Sequence, residues 1–270
     1  MYNRISDLSA NSSLPGEPSR PVDNDSFTRT LADLARRRDL PSGELPDKMG
    51  CCASTPHTWD PGSPNPSSPA GPSTSSPARP STSVFEYRTA ELPHANVDGI
   101  CVGLTAEWFR NLPNSPRSRM NALTPGSQGH DAAGDWQQRY LDVRRSSRNE
   151  GAEPSDANHQ ARTTVLREAD LKPSAKQNVY AFDEPRSFSS MLKKITKDGS
   201  KNLLSLGFAE GDRHTIATSV SDGRTTLFDP NYGEFTVQSD QTGSLFQSLA
   251  NRYRNPNGLH LSTVTTQKID

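Results

Sequence analysis

A histidine and an aspartate lie on one predicted β-hairpin, where they can form a hydrogen bond. In residues 212–235, β-branched and apolar residues alternate with small polar ones on both sides of Asp222-Gly223, a dipeptide typical of a two-residue type I′ turn. Counting outward from that turn, His214 faces Asn231, and Asp229 lies two positions earlier on the second strand. Side chains alternate between faces with period two, so all three share a face. His214 and Asp229 are then diagonal neighbours, about 7–8 Å apart.

A histidine oriented by a carboxylate supplies two thirds of a nucleophilic triad, because the acid fixes the imidazole tautomer and the imidazole accepts the proton of a nucleophile. The missing member is a nucleophile. A surface hairpin that carries a histidine by chance is the alternative at this point.

Cys101 is the candidate nucleophile. Leu104, Trp108 and Leu112 recur every four residues after it, which predicts a helix that ends by Pro113. At the first turn of a helix, unsatisfied backbone amides and the positive end of the helix dipole stabilise a thiolate. The alternative is a small buried hydrophobic residue at a helix start, which is a common use of cysteine.

The remaining patterns predict the elements that hold these residues. Helices are expected near 188–195 and 245–253, and strands near 203–208 and 259–266. The polar tract 144–164 is expected to form an exposed loop. Together these patterns predict an α+β fold in which the nucleophile helix packs on an antiparallel sheet, preceded by a disordered leader and linker.

Composition sets limits on the class of protein. The 270 residues include 22 prolines, and only 31% are hydrophobic, so we expect part of the chain to be disordered. The net charge of −1 and the scattered basic residues argue against a nucleic-acid partner. We expect no secretory signal peptide and no membrane-spanning helix. The three cysteines and six histidines show no metal-ligand spacing, so we expect neither a metal nor a cofactor.

The sequence that begins at Met49 fits an acylation site. Met49-Gly50-Cys51-Cys52-Ala53-Ser54 matches the myristoylation pattern, and the two cysteines are suited to palmitoylation. Acylation of Gly50 requires a free amino group, so either the chain is cut after Met49 or translation begins at Met49. A chance cysteine pair in a disordered leader is the alternative. The resulting division is a leader (1–49), an acylation motif with a Pro/Ser-rich linker (50–89), and a folded domain (90–270).

Three sequence blocks resemble one family. The order Cys101, His214, Asp229 is that of papain-like cysteine proteases. The blocks around these residues, ICVGLTAEWF, GDRHTIA and LFDPNYGEF, are similar to those of the YopT/AvrPphB family of cysteine proteases, which bacteria inject into host cells by type III secretion. The resemblance covers about residues 90–265. Members of the AvrPphB branch cleave themselves ahead of a Gly-Cys-Cys-Ala sequence, which this chain has at Gly50.

The resemblance implies roles for individual residues. It makes Cys101 the nucleophile, His214 the general base and Asp229 the orienting acid, with Asn96 as a donor to the oxyanion. It also implies self-cleavage between Met49 and Gly50, although the residues before this bond, Asp47-Lys48-Met49, differ from the Gly-Asp-Lys of AvrPphB.

The resemblance implies two kinds of substrate: the chain's own leader and host proteins, with kinases as one candidate class. It also implies that the acyl chains would enter the host plasma membrane. Two other functions stay open. One is an acyltransferase or transglutaminase-like reaction on the same triad, and the other is non-catalytic binding of a host protein.

Overall fold

The computed structural model describes residues 83–270, which form one antiparallel seven-stranded sheet with helices packed on both faces. The strands lie in the order β1-β6-β5-β4-β3-β7-β2. A short 3-10 helix, Val84–Tyr87, precedes the first strand. The strands are β1 (Arg88–Glu91), β2 (Pro173–Ala181), β3 (Lys201–Phe208), β4 (Arg213–Ser221), β5 (Arg224–Asp229), β6 (Gly233–Gln238) and β7 (Leu261–Ile269). The helices are α1 (Cys101–Arg110), α2 (Pro116–Ala122), α3 (Gln128–Asn149), α4 (Pro154–Glu168), α5 (Pro185–Ile195) and α6 (Thr242–Arg254).

The prediction of an α+β fold with an antiparallel sheet is confirmed, and so are the four predicted elements outside the hairpin. They lie within or overlap α5, β3, α6 and β7. The helix that begins at Cys101 ends at Arg110, three residues before Pro113. The leader, Met49, Gly50, the two neighbouring cysteines and nearly all of the predicted linker lie outside the described residues.

The β4–β5 hairpin has the predicted register. Ser221 pairs with Arg224 and Ala217 pairs with Phe228, so the loop consists of two residues. Both of these residues, Asp222 and Gly223, have positive φ angles (54° and 69°), as a type I′ turn requires. The local sequence therefore determines which residues share a face of the sheet.

The predicted exposed loop at 144–164 is wrong, because these residues form the end of α3 and most of α4. The side chain of Ser127 caps α3 by accepting from the His130 N–H, and Pro154 stands in the first turn of α4. Polar side chains are buried where the two helices meet, among them Gln137 of α3 and Asn158 and Arg162 of α4, so the sequence there lacks an apolar pattern. The Tyr140 hydroxyl donates to Asn158 Oδ1 at 2.7 Å, and the surface pair Arg139–Glu168 joins them farther along.

Helix α1 is buried against both the sheet and α3. The Trp108 ring stacks on Phe228 of β5 with 5.4 Å between ring centroids, and its indole N–H donates to Glu234 Oε2 at 2.9 Å. Glu234 is fully buried and also pairs with Arg119 of α2 at 2.7 Å. These contacts fix the far end of α1 on the sheet and so fix the direction in which its first residue points.

Close approach of α1 to α3 depends on Gly103. A Cβ atom at this position would lie 1.8 Å from the Ala133 carbonyl oxygen of α3. Only glycine allows the two backbones to lie this close, which gives a physical reason for glycine within the CVGLTAEWF sequence.

Gly103→Ala is therefore expected to push α1 away from α3. We expect a loss of about 2 kcal/mol or more in the free energy of unfolding and slower reaction at Cys101, two residues away. Gly134→Ala, at the next position after Ala133, is the matched control. A Cβ there meets nothing within 4 Å, so that variant should gain about 0.5–1 kcal/mol. Denaturant unfolding measures both, and equal stabilities would contradict this account of the packing.

Candidate active site

His214 and Asp229 form a buried hydrogen-bonded pair. His214 Nε2 lies 2.9 Å from Asp229 Oδ1, and both side chains are completely shielded from solvent. The contact follows from the hairpin register, since the diagonal neighbours share a face. The sequence prediction that these two side chains can meet is confirmed.

Three donors converge on the Asp229 carboxylate. Besides His214, the Asn231 backbone N–H donates to Oδ1 at 2.9 Å, and the Tyr253 hydroxyl of α6 donates to Oδ2 at 2.7 Å. Burial raises the pKa of Tyr253 well above its usual value, and the negative charge of Asp229 raises it further, so this hydroxyl keeps its proton. Three hydrogen bonds offset the cost of removing a carboxylate from water.

The other imidazole nitrogen of His214 is available for chemistry. With the proton on Nε2 shared with Asp229, Nδ1 carries the lone pair. Nδ1 is buried and has no hydrogen-bond partner among residues 83–270. The Tyr253 ring packs beside the imidazole at 5.7 Å between centroids and restricts its rotation. The arrangement suits a general base that is already oriented by its acid.

Cys101 is the first residue of α1 and is buried, with 1% of its surface exposed. The Thr105 hydroxyl, one turn along, donates to the Cys101 carbonyl at 2.8 Å and lies 3.5 Å from the Thr215 carbonyl. The start of α1 therefore lies against the residue that follows His214. Cys101 and Thr215 also line the same cavity, so the fold places the predicted nucleophile and the predicted base on neighbouring elements.

Two hydrogen bonds connect the loop before Cys101 to Asp229 through Asn231. The Asn96 side-chain amide donates to Asn231 Oδ1 at 2.6 Å, and Asn231 in turn donates to Asp229 through its backbone. A turn then leads into α1, closed by a hydrogen bond from the Gly99 N–H to the Asn96 carbonyl, with Gly99 at φ 69°. Asn96 is thus held near the site, while its role as an oxyanion donor stays a prediction.

Two further contributors had no sequence signal. Gln137 of α3 accepts hydrogen bonds from the Val102 and Gly103 amides at 3.0 and 3.4 Å and so caps the start of α1. The Tyr253 hydroxyl meets Asp229 from 24 positions away. Sequence periodicity places Tyr253 on the apolar stripe of its helix, but it cannot show that the phenol reaches the carboxylate.

The described residues hold no group of three or more His, Cys, Asp or Glu side chains that could bind a metal ion. None of the helices within residues 83–270 has the length and apolar character needed to cross a membrane.

A cysteine at the start of a helix, next to a buried His–Asp pair on an antiparallel sheet, is the arrangement of a papain-like cysteine protease. The crystal structure of the Pseudomonas avirulence protein AvrPphB has this fold and matches with a TM-score of 0.64 and 25% identity, over 70% of this chain and 100% of that chain. The family model Peptidase C58, described as Yersinia/Haemophilus virulence surface antigen, matches residues 79–269. The chain belongs to the peptidase C58 family and is a cysteine protease.

Its relatives include proteins of rhizobia. A protein named as a YopT-like cysteine protease of Bradyrhizobium diazoefficiens is 59% identical over the whole of both chains, and one of Sinorhizobium fredii is 56% identical over the whole of both. The cysteine protease avirulence protein AvrPphB of Pseudomonas savastanoi is 28% identical over 65% of each chain. The sequence Asp47-Lys48-Met49 before Gly50 resembles that of NopT, a rhizobial member of the AvrPphB branch, and the rhizobial relatives support this resemblance.

Asp229→Asn is expected to keep the fold and to lower the cleavage rate by about 100-fold or more. The Tyr253 hydroxyl can rotate to accept from the new amide, so packing is preserved. The amide carries no charge to stabilise the imidazolium and can impose the wrong tautomer on His214. Single-turnover cleavage and thermal unfolding measure the two effects. A near-normal rate would mean that Asn231, or no side chain, orients the imidazole.

Proposed function

We propose that this protein is a type III effector protease that first cleaves its own chain between Met49 and Gly50. The observation that carries the proposal is the buried His214–Asp229 pair beside the start of α1, where Cys101 lies. Residues 1–49 would serve as a secretion leader and pro-segment, 50–89 as an anchor with a linker, and 90–270 as the protease domain.

The proposed reaction is acyl transfer to sulfur. His214 Nδ1 accepts the thiol proton, the Cys101 sulfur bonds to the Met49 carbonyl carbon, and the carbon–nitrogen bond to Gly50 breaks as His214 returns the proton to the leaving amine. Water then attacks the thioester, with His214 again as base, and restores the thiol. The Asp229 carboxylate stabilises the imidazolium that forms twice in the cycle.

The oxyanion that forms at the carbonyl requires donors in place before the reaction. We assign this role to the Cys101 backbone amide together with the Asn96 side chain, whose amide is fixed by Asn231. Gln137 supports this assignment indirectly, because it binds the next two amides of α1 and holds the first turn rigid.

Cleavage after Met49 would expose Gly50 as a new amino terminus. Myristate on Gly50 alone anchors a protein only marginally, whereas palmitate on Cys51 or Cys52 adds the second signal that stable attachment requires. The processed protease would then act on host proteins at or near the plasma membrane and modulate plant immunity or nodulation. The rhizobial relatives and the avirulence protein AvrPphB support this setting.

Self-cleavage is tested by the intact mass and N-terminal sequence of the purified full-length protein. We expect the wild type to begin at Gly50 and Cys101→Ala to begin at Met1, because only the sulfur can form the thioester. Cys52→Ala, which also exchanges cysteine for alanine, is the control and should still be cut. If the wild type also begins at Met1, self-processing is wrong. A labelled amine that becomes attached to the new carboxyl end would indicate acyl transfer to an amine instead of hydrolysis.

Gly50→Ala is expected to abolish membrane association of the processed protein in plant cells but not cleavage of the purified chain, because myristoylation requires an amino-terminal glycine. Fractionation of cell extracts measures this. Cys51→Ser combined with Cys52→Ser is the companion variant and should leave weak, reversible membrane binding from myristate alone. An unchanged membrane fraction for Gly50→Ala would rule out the anchor.

A further inference from the structure

A cavity of about 310 Å³ opens beside Cys101. Its wall includes Cys101 and Val102 of α1, and three arginines: Arg144 of α3, Arg162 of α4 and Arg213 at the start of β4. We call it the arginine cavity. Because the nucleophile forms part of its wall, a substrate side chain near the scissile bond can enter it.

The arginine cavity carries a surplus of positive charge. Three arginines line it, and the lining includes one acidic residue, Asp98, which is exposed. Arg162 is buried, Arg144 is half-buried and Arg213 is exposed, so the charge extends from the interior to the opening. An arginine cluster of this kind favours a planar anion that can accept two parallel hydrogen bonds, such as a carboxylate.

Arg162 is the member that most needs a partner. It is 6% exposed, its Nη2 donates to Gln177 Oε1 at 3.3 Å, and its buried Nε has no hydrogen-bond partner among residues 83–270. Burial lowers the pKa of Arg162, and the positive charge of Arg213 lowers it further, against opposing contributions from Tyr140 and Cys101. A buried guanidinium with incomplete hydrogen bonding is costly, and a bound carboxylate would remove much of that cost.

The chain's own cleavage sequence offers one such carboxylate. Within five residues on either side of the bond between Met49 and Gly50, the sequence is Leu-Pro-Asp-Lys-Met and Gly-Cys-Cys-Ala-Ser, and Asp47 is its one acidic residue. In an extended substrate, Asp47 stands about 7 Å from Met49, measured between Cα atoms. Asp47 is therefore close to the carbonyl that is attacked, and the arginine cavity begins at Cys101, the residue that attacks it.

We propose that the arginine cavity is the substrate subsite that receives an acidic side chain two residues before the residue whose carbonyl is attacked, Asp47 in this chain. The inference rests on the proposed self-cleavage after Met49 and adds a specificity determinant to it. Host substrates of the processed enzyme would carry Asp or Glu at the same position. Lys48, the other charged residue near the bond, would be excluded from this cavity by like charge.

The first test compares peptide substrates that span residues 42–54. Exchange of Asp47 for Asn should lower kcat/KM for cleavage by the wild-type protein about 10- to 100-fold, the range expected for loss of hydrogen bonds to a charged group. Glu44→Gln in the same peptide removes a carboxylate three residues farther from the bond. This control should change kcat/KM less than about twofold.

The second test changes the enzyme. In Arg144→Gln, the preference for the Asp47 peptide over its Asn counterpart should fall to within about threefold, and Arg213→Gln should reduce it as well. Arg145→Gln is the matched control. It removes the same charge from the neighbouring residue, whose side chain is 68% exposed and pairs with Asp142 on the surface, so the preference should stay unchanged. Equal preference in all four proteins would overturn the proposal.

A binding measurement tests the subsite proposal independently of the self-cleavage proposal. Calorimetry would measure the binding of the same peptides to the full chain with two substitutions. Cys101→Ala prevents cleavage, and Asp47→Asn weakens competition from the chain's own leader. If the wild-type protein does not cut the peptide, yet binding depends on Asp47 and on Arg144, the subsite stands and self-cleavage after Met49 is wrong. If binding depends on neither residue, the subsite proposal is wrong.

Discussion

Burial of one carboxylate determines how the site is built. Asp229 is shielded from solvent, so its charge must be met by hydrogen bonds from inside the protein, and three elements supply them. The β4–β5 hairpin brings His214, the turn after β5 brings the Asn231 amide, and α6 brings the Tyr253 hydroxyl. Loss of any one donor leaves the charge less compensated, at a cost of about 1–3 kcal/mol. The same bonds leave His214 Nδ1 as the nitrogen that can accept a proton.

The cysteine is positioned by a second set of constraints that act on α1. At its far end, Trp108 is fixed by stacking on Phe228 and by its bond to Glu234. At its near end, Gln137 holds the first amides, and Gly103 lets α3 approach closely. The dipole of α1 then points its positive end at the thiol, while the sheet presents the imidazole. Helix α1 and the β4–β5 hairpin are in direct contact at the site, where the Thr105 hydroxyl lies 3.5 Å from the Thr215 carbonyl.

The parts of the site that depend on local sequence could be predicted, and those that depend on distant contacts could not. Asp222-Gly223 specifies the turn, and the period of two then places His214 beside Asp229. The apolar spacing after Cys101 indicates a helix start, which makes this cysteine the candidate nucleophile. Gln137 and Tyr253 act through side-chain hydrogen bonds to distant residues, which no periodicity reveals. The polarity of residues 144–164 predicts a loop where the structure has α3 and α4, and part of that polarity is the arginine lining of the cavity beside Cys101.

If the buried His214–Asp229 pair activates Cys101, the thiol must react at a pH at which an ordinary cysteine does not, and the alkylation rate of Cys101 shows whether it does. The measurement is the rate of iodoacetamide labelling at pH 6 in the wild type and in His214→Asn, with the labelled peptide identified by mass so that Cys51 and Cys52 are excluded. An ordinary thiol, with a pKa of about 8.5, is almost wholly protonated at this pH. We expect labelling at least about tenfold faster in the wild type. Equal rates in two folded proteins would show that His214 does not activate the thiol.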